Sequence, residues 1–118
     1  MSIVQEYLHR HSDSLLADLR LLVSAESPST DKRAVDACGE VLKEIMVRRI
    51  GATAEVVPRD EYGNHLVFTV GKGSRRTAIL GHFDTVWDIG RLLIKVEDGK
   101  LYGPGVLDMK AGLVQAIW

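Results

Sequence analysis

Between Lys32 and Ile50 the apolar residues fall at Val35, Cys38, Val41, Leu42, Ile45 and Met46. That spacing of three and four puts them on one face of an α-helix. Thr30 or Asp31 stands where an N-cap is needed, and Gly51 follows a basic last turn of Arg48 and Arg49. A helix with one apolar stripe must bury it against another element, so everything else in the chain has to supply a matching surface. A second stripe runs through Ile3, Val4, Tyr7, Leu8, Leu15, Leu16, Leu19, Leu22 and Val23. It predicts an amphipathic helix over 3–24, with a kink or a new cap at Ser12–Asp13.

Three short strands are expected next: 53–58, closed by Pro58; 65–70; and 77–81, which is apolar throughout and so reads as buried on both faces of a sheet. Residues 93–103 alternate about an Asp98–Gly99 pair, which predicts a hairpin. A last helix begins near Asp108, with that aspartate at or near its N-cap. Helices and strands in this order predict an α/β fold, a layered sheet with flanking helices. The last helix reaches Trp118 with no capping glycine or proline, and we expect the chain to continue as a larger domain.

The net charge of −1 carries no basic excess of the kind nucleic-acid surfaces need. One cysteine, Cys38, allows no internal disulfide, and a reducing, cytoplasmic setting is the simplest expectation. Residues 1–14 hold no apolar signal core. No apolar run approaches the roughly 18 residues that suggest a membrane span. Cys38 reads as a small buried hydrophobe, and Trp87 and Trp118 as packing residues, Trp118 unusually exposed if its partners lie outside these residues.

The apolar run 77–81 leads straight into His82, Phe83 and Asp84. On an extended chain His82 and Asp84 project to the same side. Either the pair is loop polarity after a strand, or it is half of a metal site. An imidazole ligand commonly gives its other ring N–H to a carboxylate, which fixes the ring and its tautomer. Asp108 lies 26 residues on, behind a glycine-rich loop. Its placement equally suits a helix cap, so spacing alone does not separate the two readings.

The segments "GHFDTV" (81–86) and "DGKLYGPGVLDMKAGL" (98–113) together resemble the zinc peptidase and amidohydrolase family of acetylornithine deacetylase, succinyl-diaminopimelate desuccinylase, aminoacylase and glutamate carboxypeptidase. The "YGPG" form is most similar to the glutamate carboxypeptidase branch. "LLVSAESPS" (21–29) and "GNHLVFTVG" (63–71) extend the likeness over nearly the whole chain. Residues 87–100 are a few residues shorter than the resemblance leads us to expect, which bears on the loop beside the site.

The resemblance implies an N-terminal portion, 1–118, of a zinc-peptidase-like catalytic domain, without the lid domain and C-terminal half. It implies His82 as a ligand of one of two zinc ions, Asp108 as the carboxylate bridging both, and Asp84 as the catalytic carboxylate that orients the histidine. It implies a cis peptide at Asp108–Met109. Cobalt or manganese would suit the same two donors. The implied activity is hydrolysis of an amide in a small substrate, an N-acyl amino acid or short peptide, with no nucleic-acid or membrane partner. The general-base glutamate and further ligands have no counterpart here, so this chain alone is expected to be inactive. The rival expectation is a non-catalytic remnant acting only as a folded or interaction module. Unpaired strand edges make a homodimer or self-association an expectation under either reading.

Overall fold

A computed structural model describes residues 1–118. The stripe over 3–24 forms two helices, α1 (Ile3–Arg10) and α2 (Ser12–Ser24). His11 separates them, with φ −104° and ψ 12°. Ser2 and Gln5 make a reciprocal capping box at the start of α1. The helix α3 (Lys32–Ile50) has the predicted ends: Asp31 accepts from the Ala34 amide at 3.0 Å, and Gly51 closes the helix at φ 71°.

Two hairpin-like pairs follow. Strands β1 (Glu55–Val57) and β2 (His65–Val67) are antiparallel, with Val56 opposite Leu66. Strands β3 (Lys95–Glu97) and β4 (Lys100–Tyr102) pair about Asp98–Gly99, as the alternation predicts. A last helix, α4 (Ala111–Ile117), ends the chain.

The core lies where α2, α3 and α4 meet. Leu19, Leu22 and Val23 pack on Cys38, Leu42, Ile45 and Met46, with Ala52 and Val114 closing the cluster. Leu66 of β2 and Leu101 of β4 lean on it, which gives each isolated pair the apolar support that a two-stranded ladder lacks in water. Cys38 is a free, fully buried thiol, as its place on the stripe predicts.

The mixture of helices and strands is present, but the layered sheet is not. Residues 77–81 join no ladder, and Ile79 and Leu80 are 75% and 94% exposed rather than buried. The physical reason is the lack of a neighbour: β1–β2 and β3–β4 pair only within themselves, so nothing offers the 77–81 backbone its hydrogen bonds. A second correction concerns Asp108. It is not an N-cap: Val106–Lys110 form a wide turn in which Asp108 (φ −122°, ψ 95°) and Met109 (φ −136°, ψ 30°) are non-helical, and α4 starts after Lys110. The Asp108–Met109 peptide is cis, as the resemblance implies. Trp87 is exposed, while Trp118 is half-buried, its indole N–H donating to Asp18 at 3.0 Å. No helix is long and apolar enough to cross a membrane.

Candidate metal centre

Residues 82–85 belong to no sheet, and another loop holds them. The turn between α2 and α3 runs alongside as a one-residue parallel bridge, Pro28 opposite Thr85. The Thr85 amide donates to Ser27 O and the Ser29 amide donates to Thr85 O, both at 2.8 Å. The Ser27 hydroxyl donates to Phe83 O at 2.6 Å. Gly81 lets this segment pass close to the last helix: a Cβ there would sit 2.6 Å from Leu113 Cδ2.

Asp108 arrives from the opposite side. Gly105, at φ 76°, turns the chain, and a Cβ on it would meet Thr85 Cγ2 at 2.6 Å. Lys110 pins the turn. It is fully buried, and its ammonium donates to Leu22 O at 2.8 Å and Ala25 O at 3.0 Å, the free carbonyls at the end of α2. Burial holds its pKa below the ordinary lysine value.

These constraints bring His82, Asp84 and Asp108 together. His82 Nδ1 donates to Asp84 Oδ1 at 3.0 Å and to the Asp84 carbonyl at 3.2 Å. His82 Nε2 lies 3.0 Å from Asp108 Oδ1. Burial pushes the His82 pKa down, but the bonds to Asp84 and Asp108 and the charge of both carboxylates outweigh it and raise the pKa above its ordinary value. The group opens into a cleft of about 330 Å³, whose lining includes Ser29 and Trp87, and Asp108 is 85% exposed there.

The donor chemistry suits a metal: a ring nitrogen and a carboxylate oxygen face each other at Nε2, and a second carboxylate holds the far nitrogen. The count is short. Asp84 sits on the opposite edge of the ring from Asp108, so the three do not converge, and no group of three or more His, Cys, Asp or Glu is placed to hold an ion. His82 Nε2 and Asp108 Oδ1 are thus two candidate donors facing each other, where a catalytic zinc takes about three from protein.

The ring touches two carboxylates and no hydroxyl or thiol, an arrangement that suits a metal-ligating histidine and not a nucleophilic triad. No family model matches the chain. Among curated proteins it is 29% identical over 110 residues to a probable succinyl-diaminopimelate desuccinylase of Staphylococcus aureus, covering 87% of this chain and 26% of that one. The same enzyme of Staphylococcus epidermidis is 29% identical over 107 residues, 84% of this chain and 26% of its own length. Carboxypeptidase G2 of a Pseudomonas species is 31% identical over 108 residues, 84% of this chain and 25% of its own. The chain is a distant homologue of these desuccinylases and of carboxypeptidase G2, and so of the zinc peptidase family to which its motifs point. It spans about a quarter of the length of the curated relatives it matches.

Sequence reasoning missed two supports of this site. Nothing in the sequence singles out Lys110, yet its side chain is fully buried. Ser27 and Ser29 read as generic turn and capping residues. The available signal was the serine pair in "ESPST", two hydroxyls spaced to face an extended partner on one side.

Proposed function

We propose that this chain supplies one part of the metal centre of an amide hydrolase acting on an N-acyl amino acid or short peptide. The observation that carries this is the His82 ring held edge-on between Asp84 Oδ1 and Asp108 Oδ1, each at 3.0 Å. Asp84 keeps the ring proton on Nδ1, which leaves the Nε2 lone pair toward the side where Asp108 presents its oxygen. His82 and Asp108 are the two donors; Asp84 orients the first. Zinc held there, with ligands from elsewhere, would lower the pKa of a water and polarise the scissile carbonyl. The homology to a desuccinylase and a carboxypeptidase supports the reaction class. The single buried thiol suits a reducing, cytoplasmic setting.

With two donors, this chain alone is expected to bind zinc weakly and to show no hydrolase activity. Zinc titration of the wild type, of His82→Ala and of His9→Ala, a control at an exposed histidine on α1, tests the reading. Binding lost in the first variant and kept in the second supports it; binding indifferent to His82 refutes it. Hydrolysis of N-acyl amino acids by this chain, abolished in His82→Ala, would refute the expected inactivity.

A second reading is that the chain is a non-catalytic folded module. The exposure of Ile79, Leu80 and Leu107, at 75%, 94% and 93%, favours a covered face and hence self-association. Sedimentation of the purified chain separates a stable monomer from an oligomer.

A further inference from the structure

The orienting carboxylate is itself held at both ends. Asp84 Oδ1 meets His82 Nδ1 at 3.0 Å, and Asp84 Oδ2 accepts from the Ser29 hydroxyl at 2.6 Å. The latter is within the short range of a hydroxyl bound to an ionised carboxylate. The serine has one proton and two acceptors in reach, Asp84 Oδ2 and Thr85 O at 3.0 Å. The carboxylate is the nearer and the charged acceptor, so the hydroxyl proton goes to it. No other group donates to Asp84 Oδ2. The Thr85 amide, the nearest backbone donor in sequence, is committed to Ser27 O. The serine is rigidly placed as well, because Pro28 before it is buried in the bridge and its carbonyl accepts from the Asp31 amide at 2.9 Å.

We infer that Ser29 is a positioning residue of this site, fixing the Asp84 carboxylate so that its other oxygen stays on His82 Nδ1. The terminal torsion of an aspartate is broad and roughly two-fold, so a carboxylate tied at one oxygen swings about that tie. Tied at both, it is a fixed acceptor, and the neutral ring keeps its proton on Nδ1. Without Ser29 the ring proton can move to Nε2 and be donated to Asp108, which blocks the nitrogen a metal needs. The inference rests on the metal-site reading only for its consequence; the hydrogen-bond relay itself requires no metal.

The test reads the His82 tautomer in the metal-free chain by long-range proton–nitrogen-15 correlation at one fixed pH above the imidazole range. The His82 signals are identified by their loss in His82→Ala. The wild type is expected in the Nδ1–H form. Ser29→Ala is expected to shift the population toward Nε2–H, and Ser29→Thr, which keeps the hydroxyl, to restore it. Ser27→Ala removes the neighbouring bond to Phe83 O and is expected to leave the tautomer unmoved. Should Ser29→Ala fail to fold, Ser29→Cys replaces it, because a thiol is a poor donor. An unchanged tautomer in a folded Ser29 variant overturns the inference, as does an equal shift in Ser27→Ala, which would make the effect a general loosening of the turn. Cobalt(II) titration of the same proteins gives a second readout. Loss of an orienting partner typically costs 10- to 100-fold in metal affinity, and Ser29, one bond further out, is expected to cost roughly three- to tenfold. If the wild type shows no His82-dependent cobalt binding, the metal reading falls while the tautomer comparison still decides the role of Ser29.

Discussion

Asp18 is 1% exposed on α2 and is the one carboxylate in the core. It accepts from Arg49 Nε at 2.8 Å and Nη2 at 3.1 Å, from Arg48 Nη2 at 3.0 Å and from Trp118 Nε1 at 3.0 Å. These bonds tie α2 to the end of α3 and to the residue after α4, with the Arg49 guanidinium stacked 4.5 Å over the Trp118 ring. Asp18→Asn keeps the shape, removes the charge and turns an amide N–H toward donors. Stripping one partner from a fully buried ion pair costs about 3–5 kcal/mol, whereas an exposed pair contributes about 0–1 kcal/mol. The side chains of Arg48 and Arg49 are 47% and 28% exposed, so water takes up much of the freed charge. The expected loss is therefore intermediate, about 2 kcal/mol, or a fall in melting temperature of roughly 8 °C for a domain of this size.

Urea melts followed by tryptophan fluorescence measure it. Burial raises the Asp18 pKa, but the bonds from Arg49, Trp118 and Arg48 and the Arg49 charge bring it below the ordinary value. The contribution is complete above the ordinary carboxylate pKa of about 3.9 and is lost as pH falls through the lower folded value. The gap between wild type and variant should accordingly be full at neutral pH and close in acid below that value. A gap under about 0.5 kcal/mol at neutral pH, or one that persists unchanged in strong acid, refutes the reasoning.

Three further outcomes are expected. Lys110→Met leaves Leu22 O and Ala25 O without their donor but also removes a costly buried ammonium; the net loss should be about 1–2 kcal/mol in a urea melt, with weaker zinc binding because the Asp108 turn loosens. Gly105→Ala forces a side chain onto φ 76° and against Thr85 Cγ2, and should lower stability by at least about 1–2 kcal/mol in the same assay. Cys38, fully buried beside Leu22 O and Phe83 O, should react with a thiol reagent only as fast as the chain opens, so that its labelling rate rises with urea in step with unfolding.

How far the sequence revealed this structure depended on whether each signal was local. The helix α3 was legible end to end because Asp31, the apolar stripe and Gly51 agree, and all three act within a turn or two of themselves. The hairpin β3–β4 was legible for the same reason, since Asp98–Gly99 fixes its register alone. The helix expected over 3–24, with a kink or new cap at Ser12–Asp13, does divide, at His11, which ends α1 and starts α2 without a side-chain cap of its own. The run 77–81 shows the limit. An apolar strand sequence states that a segment suits burial, not that a partner lies beside it, and here none does.

The site was found through a pattern whose support turned out to be different. His82 and Asp84 were paired on the argument that a strand end aims alternate side chains to one side. The two side chains do meet, but no sheet holds the segment; Ser27, Pro28 and Ser29 take the place of a neighbouring strand. Those contacts join residues 55 and 56 apart in sequence, and Lys110 reaches back 88 residues to α2. Such contacts leave only weak traces in composition or periodicity, because a serine in a turn and a lysine at a helix start each have an ordinary local explanation. The consequence is physical. The reactive-looking residues His82, Asp84 and Asp108 are exposed or half-buried and make few packing contacts, while Ser27 and Lys110 beneath them are fully buried. Geometry at the centre is therefore set by the shell under it, and substitutions at that shell should alter metal affinity without touching a donor.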